Sequence, residues 1–257
     1  MNKISILIQT HNEEKNIEDC IESSRLLSDT IVVIDMESTD QTREIAQKNN
    51  TIVVSFPYSQ YVEPGRAFGL QQIKSDWVFI LDADERMTQE LSNEIKETIH
   101  ETGHSYFKVP RKNMFGGVKW LQQGGWWPDE QMRLIKLSAF KAWPKEIHST
   151  PRIAGEIGHL NEAFLHFFHG NMETMVQKTL IFEDIESHLL YEAKKPVSTS
   201  TFFRKFFGEL WRRFFAKMGF LDGTVGIMES IYQAYSKTIT YLLLYEKKNR
   251  RPLHPLP

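Results

Sequence analysis

The sequence predicts a doubly wound α/β fold, on three observations. The first hundred residues contain four short apolar runs that are hydrophobic at consecutive rather than alternating positions. Stretches of helical pattern separate them. Polar or acidic residues follow three of the four at once. Strands that bury both faces, joined by helices of about ten residues or more, form a parallel sheet covered on both sides.

The elements follow in order. "KISILIQ" is isoleucine-rich and reads as the first strand. "NEEKNIEDCIESSRLL" places Ile17, Cys20 or Ile21, and Leu27 on one helix face, with acids in the first turn where the helix dipole favours them. "TIVVID" is a second strand, "STDQTREIAQKNN" a helix and "TIVVSF" a third strand. "EPGRAFGLQQIKS" opens with Pro64 and Gly65 and reads as a third helix. "DWVFILD" is the fourth strand, and Thr88 caps a helix over "TQELSNEIKETIH". Past His104 the rhythm changes. "SYFKVPRKNMFGG" and "DEQMRLIKLSAF" read as strands of a mixed region, joined by a Gly/Trp-rich loop, and the chain from Met172 onward reads as helical. The expected organisation is a domain over 1–170, divided at 104, and a helical extension over 171–257.

Bulk composition narrows the function. With 257 residues, 41% hydrophobic and 25% charged, the chain has ample material for a core. A net charge of −2 gives no reason to expect nucleic acid. The single cysteine, Cys20, rules out an intramolecular disulfide and suits a reducing cytosol. No stretch reaches the roughly 18 apolar residues of a spanning helix. The run Ile4 to Ile8 is too short for a secretory signal. The expectation is a cytoplasmic protein that touches a membrane without crossing it.

In an open parallel sheet, ligands bind beyond the carboxyl ends of the strands. Here three such ends carry Thr10, Asn12 and Glu13, then Asp35 and Asp40, then Asp82 and Asp84. Singly, each has a structural explanation: Asp40 as a helix N-cap, Glu13 as a first-turn acid. Together they form an acidic rim that calls for a cation. No Gly-rich phosphate loop follows the first strand, so a phosphorylated ligand would be neutralised by a hard divalent metal at Asp84 and by Arg66.

Four motifs in this order, "ILIQTHNEEKNIEDCIES", "IVVIDMESTDQT", "GRAFGL" and "WVFILDADE", resemble family 2 glycosyltransferases of the GT-A fold. The resemblance continues through "GGWWPDEQMRLIK", "EIHSTPRIAGEIGHLNEAFLHF" and "FFAKMGFLDGTVGIMESIYQAYSKTITY", and is nearest to the bacterial branch that builds lipopolysaccharide core and related surface glycans. It implies a donor sugar on a nucleoside diphosphate such as UDP, and a glycan or lipid-linked acceptor. Thr10, Asn12 and Glu13 would line the nucleotide pocket and Asp35 would contact the base. Arg66 would lie near the diphosphate, Asp82 would face the ribose or sugar, and Asp84 would ligate Mg²⁺ or Mn²⁺. Asp129 stands at the general-base position of an inverting transfer. His148 and His166 fall near histidines of relatives and could reach the metal or diphosphate, although relatives often read His-Glu where this chain has "HST". Trp126 and Trp127 either stack on sugar faces or anchor their loop by packing. Transfer to a protein side chain, or a non-catalytic scaffold, are the alternative readings.

Between Lys194 and Lys217 lie seven basic residues against one acid, Glu209. On a helical wheel Arg204, Lys205, Arg212 and Arg213 share one side, and Phe203, Phe207, Leu210, Phe214 and Met218 the other. That pattern suits an interfacial helix on an anionic membrane, or a helix packing its aromatic face on the domain. Gly219, Gly223 and Gly226 are expected to break it before a last helix over 227–245.

Overall fold

The structure is a computed structural model and describes residues 3–144, 149–169 and 172–249. The chain folds into two compact units. One comprises the chain as far as Lys112 together with Pro128–Phe168; the other comprises Asn113–Trp127 and the chain from His169 on.

In the first unit, β1 (Ile4–Thr10), α1 (Ile17–Ser24), β2 (Ile31–Asp35), α2 (Thr42–Lys48), β3 (Ile52–Ser55), α3 (Glu63–Gln72) and β4 (Trp77–Asp82) alternate as the sequence predicts. There follow β5 (Glu85–Arg86), α4 (Gln89–Glu101), β6 (Tyr106–Phe115), β7 (Lys119–Trp120), β8 (Glu130–Lys136), β9 (Phe140–Ala142), β10 (Arg152–Ile153), β11 (Ile157–His159) and β12 (Phe164–His169). The main sheet runs β3-β2-β1-β4-β8-β6-β12-β5. Its first four strands are parallel, and β8 turns antiparallel against β4. The short strands β5, β7 and β9 to β12 have no clear periodicity and were not legible in sequence.

Successive strand residues do feed two cores. Ile6, Ile8, Val33, Phe79 and Leu81 face Ile17, Cys20, Leu91 and Ile95, whereas Leu7, Ile34, Val78 and Ile80 face Leu70 and Trp143. This two-sided burial is why the runs are continuously apolar. Helix α4 is capped as expected, the Thr88 hydroxyl accepting from Leu91 N–H at 3.2 Å. Helix α2 is not capped by a side chain of its N-cap residue, Gln41. Asp40, one residue earlier, instead accepts the N–H of Thr42 at 3.0 Å and of Glu14 at 3.1 Å, tying the starts of α1 and α2 together. Partial burial works against that carboxylate's charge, yet these hydrogen bonds hold it below its ordinary range.

The second unit holds α5 (Met172–Glu192), α6 (Thr199–Trp211) and α7 (Gly223–Asn249), with β7 and the end of β6. The expected break is narrower than the glycines suggest. After α6 comes one π-helical turn, Arg212–Ala216; Met218 then takes a left-handed φ of 53°, and α7 begins at Gly223. Gly226 therefore lies inside α7, where a Cβ would stand 1.9 Å from the Gly219 carbonyl oxygen. The buried carboxylate of Asp222 accepts the N–H groups of Gln122 and Gln123 at 2.9 and 2.8 Å, fixing the Gly/Trp-rich loop within this unit. Among the described residues, no helix is long and apolar enough to cross a membrane.

Candidate active site

Register brings the rim together. Thr10 is paired with Asp35 across β1 and β2, and Gln9 with Asp82 across β1 and β4. Thr10 and Asp35 are buried, and the Thr10 hydroxyl has no hydrogen-bond partner among the described residues. A buried hydroxyl without a partner beside a carboxylate is a departure from the usual satisfaction of buried polar groups. Asn12 adopts a left-handed φ of 53°, and its side-chain carbonyl accepts the N–H of Thr39 at 2.7 Å. Its own N–H donates to the Ser38 hydroxyl at 3.0 Å. Glu13 accepts from the Asn16 amide at 2.6 Å. These contacts fix the loops that follow β1 and β2. Next to them, the His11 ring lies 4.3 Å from that of Tyr58, a pair the sequence did not single out.

On the next strand the structure supplies the rim's cation as arginine. Arg66, delivered by α3, reaches both oxygens of Asp82 at 2.7 Å. Arg133 of β8 reaches Asp82 at 2.8 Å and Glu85 at 2.6 Å. Burial opposes the charge on Asp82, but Arg133 and then Arg66 outweigh it, and the carboxyl is held well below its usual range. Burial pushes Glu85 the other way, upward, with Arg133 opposing. Glu85 and Arg133 escaped the sequence reading. The available signal was Arg133 set between Met132 and Leu134 in "QMRLIK", a residue type that is almost never buried unless paired. A cavity of about 240 Å³ adjoins this cluster, lined by Arg66, Gln131, Arg133, Trp143, Ser149 and Thr150 among others.

Asp84 and His166 meet on β12's side, His166 Nε2 standing 3.6 Å from Asp84 Oδ2. Among the described residues no group of three or more His, Cys, Asp or Glu side chains is arranged to hold a metal ion. One carboxylate and one imidazole nevertheless fit Mg²⁺ or Mn²⁺ of the kind that completes its shell with substrate phosphates and water. His148, the other expected ligand, lies outside the described residues.

Asp129 precedes β8. Arg111 of β6 donates through Nε to its Oδ2 at 2.8 Å, and Gln131 donates to Oδ1 at 2.7 Å. The neighbouring acid Glu130 has a different partner, His159, at 2.8 Å. In the helical unit, Trp127 packs edge-on against Trp120 at 5.3 Å, and the Arg213 guanidinium lies 5.3 Å from the Trp126 ring. Those contacts are of the packing kind.

The chain matches the family model described as glycosyl transferase family 2 over residues 5–152, and it belongs to that family. It is an enzyme, a glycosyltransferase of GT-A fold, as its sequence motifs imply. It is 26% identical over 255 residues to an uncharacterized glycosyltransferase of Rickettsia conorii, covering 95% of this chain and 90% of that one. Over 102 residues it is 33% identical to the lipopolysaccharide core biosynthesis glycosyltransferase LpsC of Rhizobium meliloti, covering 37% of each. Among solved structures, S. aureus TarS 1–349 aligns with a TM-score of 0.51 at 15% identity, over 98% of this chain and 93% of that one. A mycobacterial protein aligns at 0.52 with 17% identity, over 77% and 76%. These two likenesses speak to fold.

Proposed function

We propose that this glycosyltransferase moves a sugar, with inversion, from a UDP-linked or related nucleoside-diphosphate donor to a glycan or glycolipid acceptor. The local similarity to LpsC favours lipopolysaccharide core or another surface glycan as the product's destination. The observation that carries the reading is the rim itself: an orphan Thr10 hydroxyl beside Asp35, then the arginine-clamped Asp82, then Asp84 with His166. Thr10 and Asp35 bind the nucleoside, in a pocket shaped by Asn12 and Glu13. Asp82, held rigid by Arg66 and Arg133, orients donor hydroxyls. A divalent cation held by Asp84 and His166 would offset charge on the leaving diphosphate.

Asp129 takes the proton of the acceptor hydroxyl. The acceptor oxygen forms its bond to the anomeric carbon as the bond to the diphosphate oxygen breaks, and that electron pair leaves with the nucleotide. One displacement inverts the centre, so an α-linked donor gives a β-linked product. In this reading residues 1–170 carry the chemistry, and 171–257 holds the enzyme against the cytoplasmic face of an anionic membrane.

Isothermal titration of UDP with and without Mn²⁺ tests the assignment. In Asp84→Ala the gain in UDP affinity conferred by Mn²⁺ falls by about tenfold or more. A variant that binds Mn²⁺ and UDP as the parent does removes Asp84 from the site.

A further inference from the structure

An alternation of charge runs from the donor-side acids to the proposed base. Arg66 meets Asp82 at 2.7 Å, Asp82 meets Arg133 at 2.8 Å, and Arg133 meets Glu85 at 2.6 Å. Glu85 meets Arg111 at 3.4 Å, and Arg111 meets Asp129 at 2.8 Å. Three guanidinium groups face three carboxylates, so the chain of contacts is charge-balanced. Glu85 is fully buried and Arg133 nearly so, whereas Asp129 at the far end is 22% exposed.

Arg111 holds Asp129 by main chain and side chain together. Its N–H donates to the Asp129 carbonyl at 2.8 Å, and its Nε and a terminal nitrogen both reach Oδ2 at 2.8 Å. Gln131 fixes the remaining oxygen. A short carboxylate on a loop can otherwise turn about two bonds, and misplacement of a base by about 1 Å can lower a rate by about a hundredfold. An arginine fork removes that freedom where a lysine, a point charge, would not.

Resting on the reading of Asp129 as the base, we propose that Arg111 is its positioning residue, anchored from behind by buried Glu85. Among the described residues, Arg111 from β6 and Gln131 from β8 face Asp129, and Glu130 is engaged by His159 of β11. Facing Glu85 are Arg111, Arg133, the N–H of Asp82 and, more distantly, His166. The role has two separable consequences. Arg111 aims the carboxylate at the acceptor hydroxyl, and its charge favours the ionised form of Asp129.

The test needs one readout that does not depend on turnover. In protein labelled with ¹³C at aspartate carboxyls, the Asp129 resonance is assigned by its loss in Asp129→Asn and followed against pH. In Arg111→Gln its midpoint rises by roughly half a pH unit or more, and Arg111→Lys recovers most of that shift. With the UDP-sugar that the parent turns over fastest, kcat falls about tenfold or more in Arg111→Gln and its acid limb moves to higher pH. In Arg111→Lys kcat stays low, because a lysine restores charge but not the fork. UDP affinity with Mn²⁺ stays within about twofold in both variants. An unmoved midpoint, or a UDP affinity that weakens in step with kcat, overturns the proposal. If Asp129→Asn turns over like the parent, the base assignment itself falls. If Asp129→Asn is inactive and Arg111→Gln is not, only the positioning role falls.

Discussion

Glu229 is a carboxylate that the proposed chemistry does not use, and it carries the clearest pH signature. It lies buried on α7, and its Oε1 has no hydrogen-bond partner among the described residues. Burial pushes its carboxyl up from 4.5 to about 7, with a hydrogen bond from Gln233 and the charge of Arg213 opposing. Between those two values the folded chain binds more protons at this site than the unfolded chain. Stability therefore declines as pH rises from about 4.5 to 7 and is level above, the loss amounting to at most about 3 kcal/mol. Glu229→Gln should flatten that decline and raise Tm at pH 8 by a few degrees, as followed by calorimetric scans at pH 5 and pH 8. A variant whose Tm keeps the parent's pH slope would show that this carboxyl does not cause it. At this scale the sequence showed only part of the site. Asp82 and Asp84 stood out because each is an acid directly after an apolar run, whereas Asp129 was singled out only by the family resemblance. Glu85, Arg111 and Arg133 did not stand out, since a buried ion pair is defined by its partner and those partners lie 26 and 48 residues apart.

The same division between local and long-range information holds for whole elements. β1, β2 and β4 were legible because both their faces are buried, which leaves a local mark, and the half-exposed edge strand β3 through its run of β-branched residues. β5 and β12 are held by pairing across the sheet, and nothing in two residues such as Glu85–Arg86 announces that. Helix α3 shows what the pattern left out. Gly69 looks like an ordinary weak point in a helix, where alanine would add up to about 1 kcal/mol. In the fold, a Cβ there would stand 2.8 Å from both Ile34 Cγ1 and Leu7 Cδ1, core atoms of β2 and β1. Close approach of α3 to the sheet places Arg66 on Asp82. Gly69→Ala should therefore destabilise, by about 1–3 kcal/mol, and weaken UDP binding as α3 is displaced. Urea unfolding gives the sign: an unchanged or higher midpoint would show that α3 has room to spare.

Across the molecule, net charge says little, because −2 is spread unevenly. The expected amphipathic helix is present, but its faces are divided differently from a simple wheel. Lys205 lies 4.5 Å from the Tyr241 ring, Arg212 and Arg213 both bond Glu209, and Arg213 also reaches the Gly124 carbonyl, so three of the four expected surface cations are engaged inside the helical unit. Leu210 and Phe214 are half-buried with them. Phe203, Phe207, Trp211 and Phe215, one per turn, remain 62, 60, 60 and 58% exposed. Arg204 and Lys217 accompany them, with Arg212 exposed alongside while paired to Glu209, and no acid between 199 and 221 is exposed. An aromatic stripe among cations complements an anionic bilayer, whereas a second copy of the same face would bring like charges together. The protein should float with phosphatidylcholine vesicles containing about 30% phosphatidylglycerol, more weakly at high salt, and not with phosphatidylcholine alone. Phe207→Ser with Trp211→Ser should lower the bound fraction by about tenfold or more while leaving UDP binding unchanged, since both side chains already face solvent. Equal flotation of this double variant, or a concentration-dependent dimer in the parent that the same changes abolish, would assign the stripe to something other than lipid.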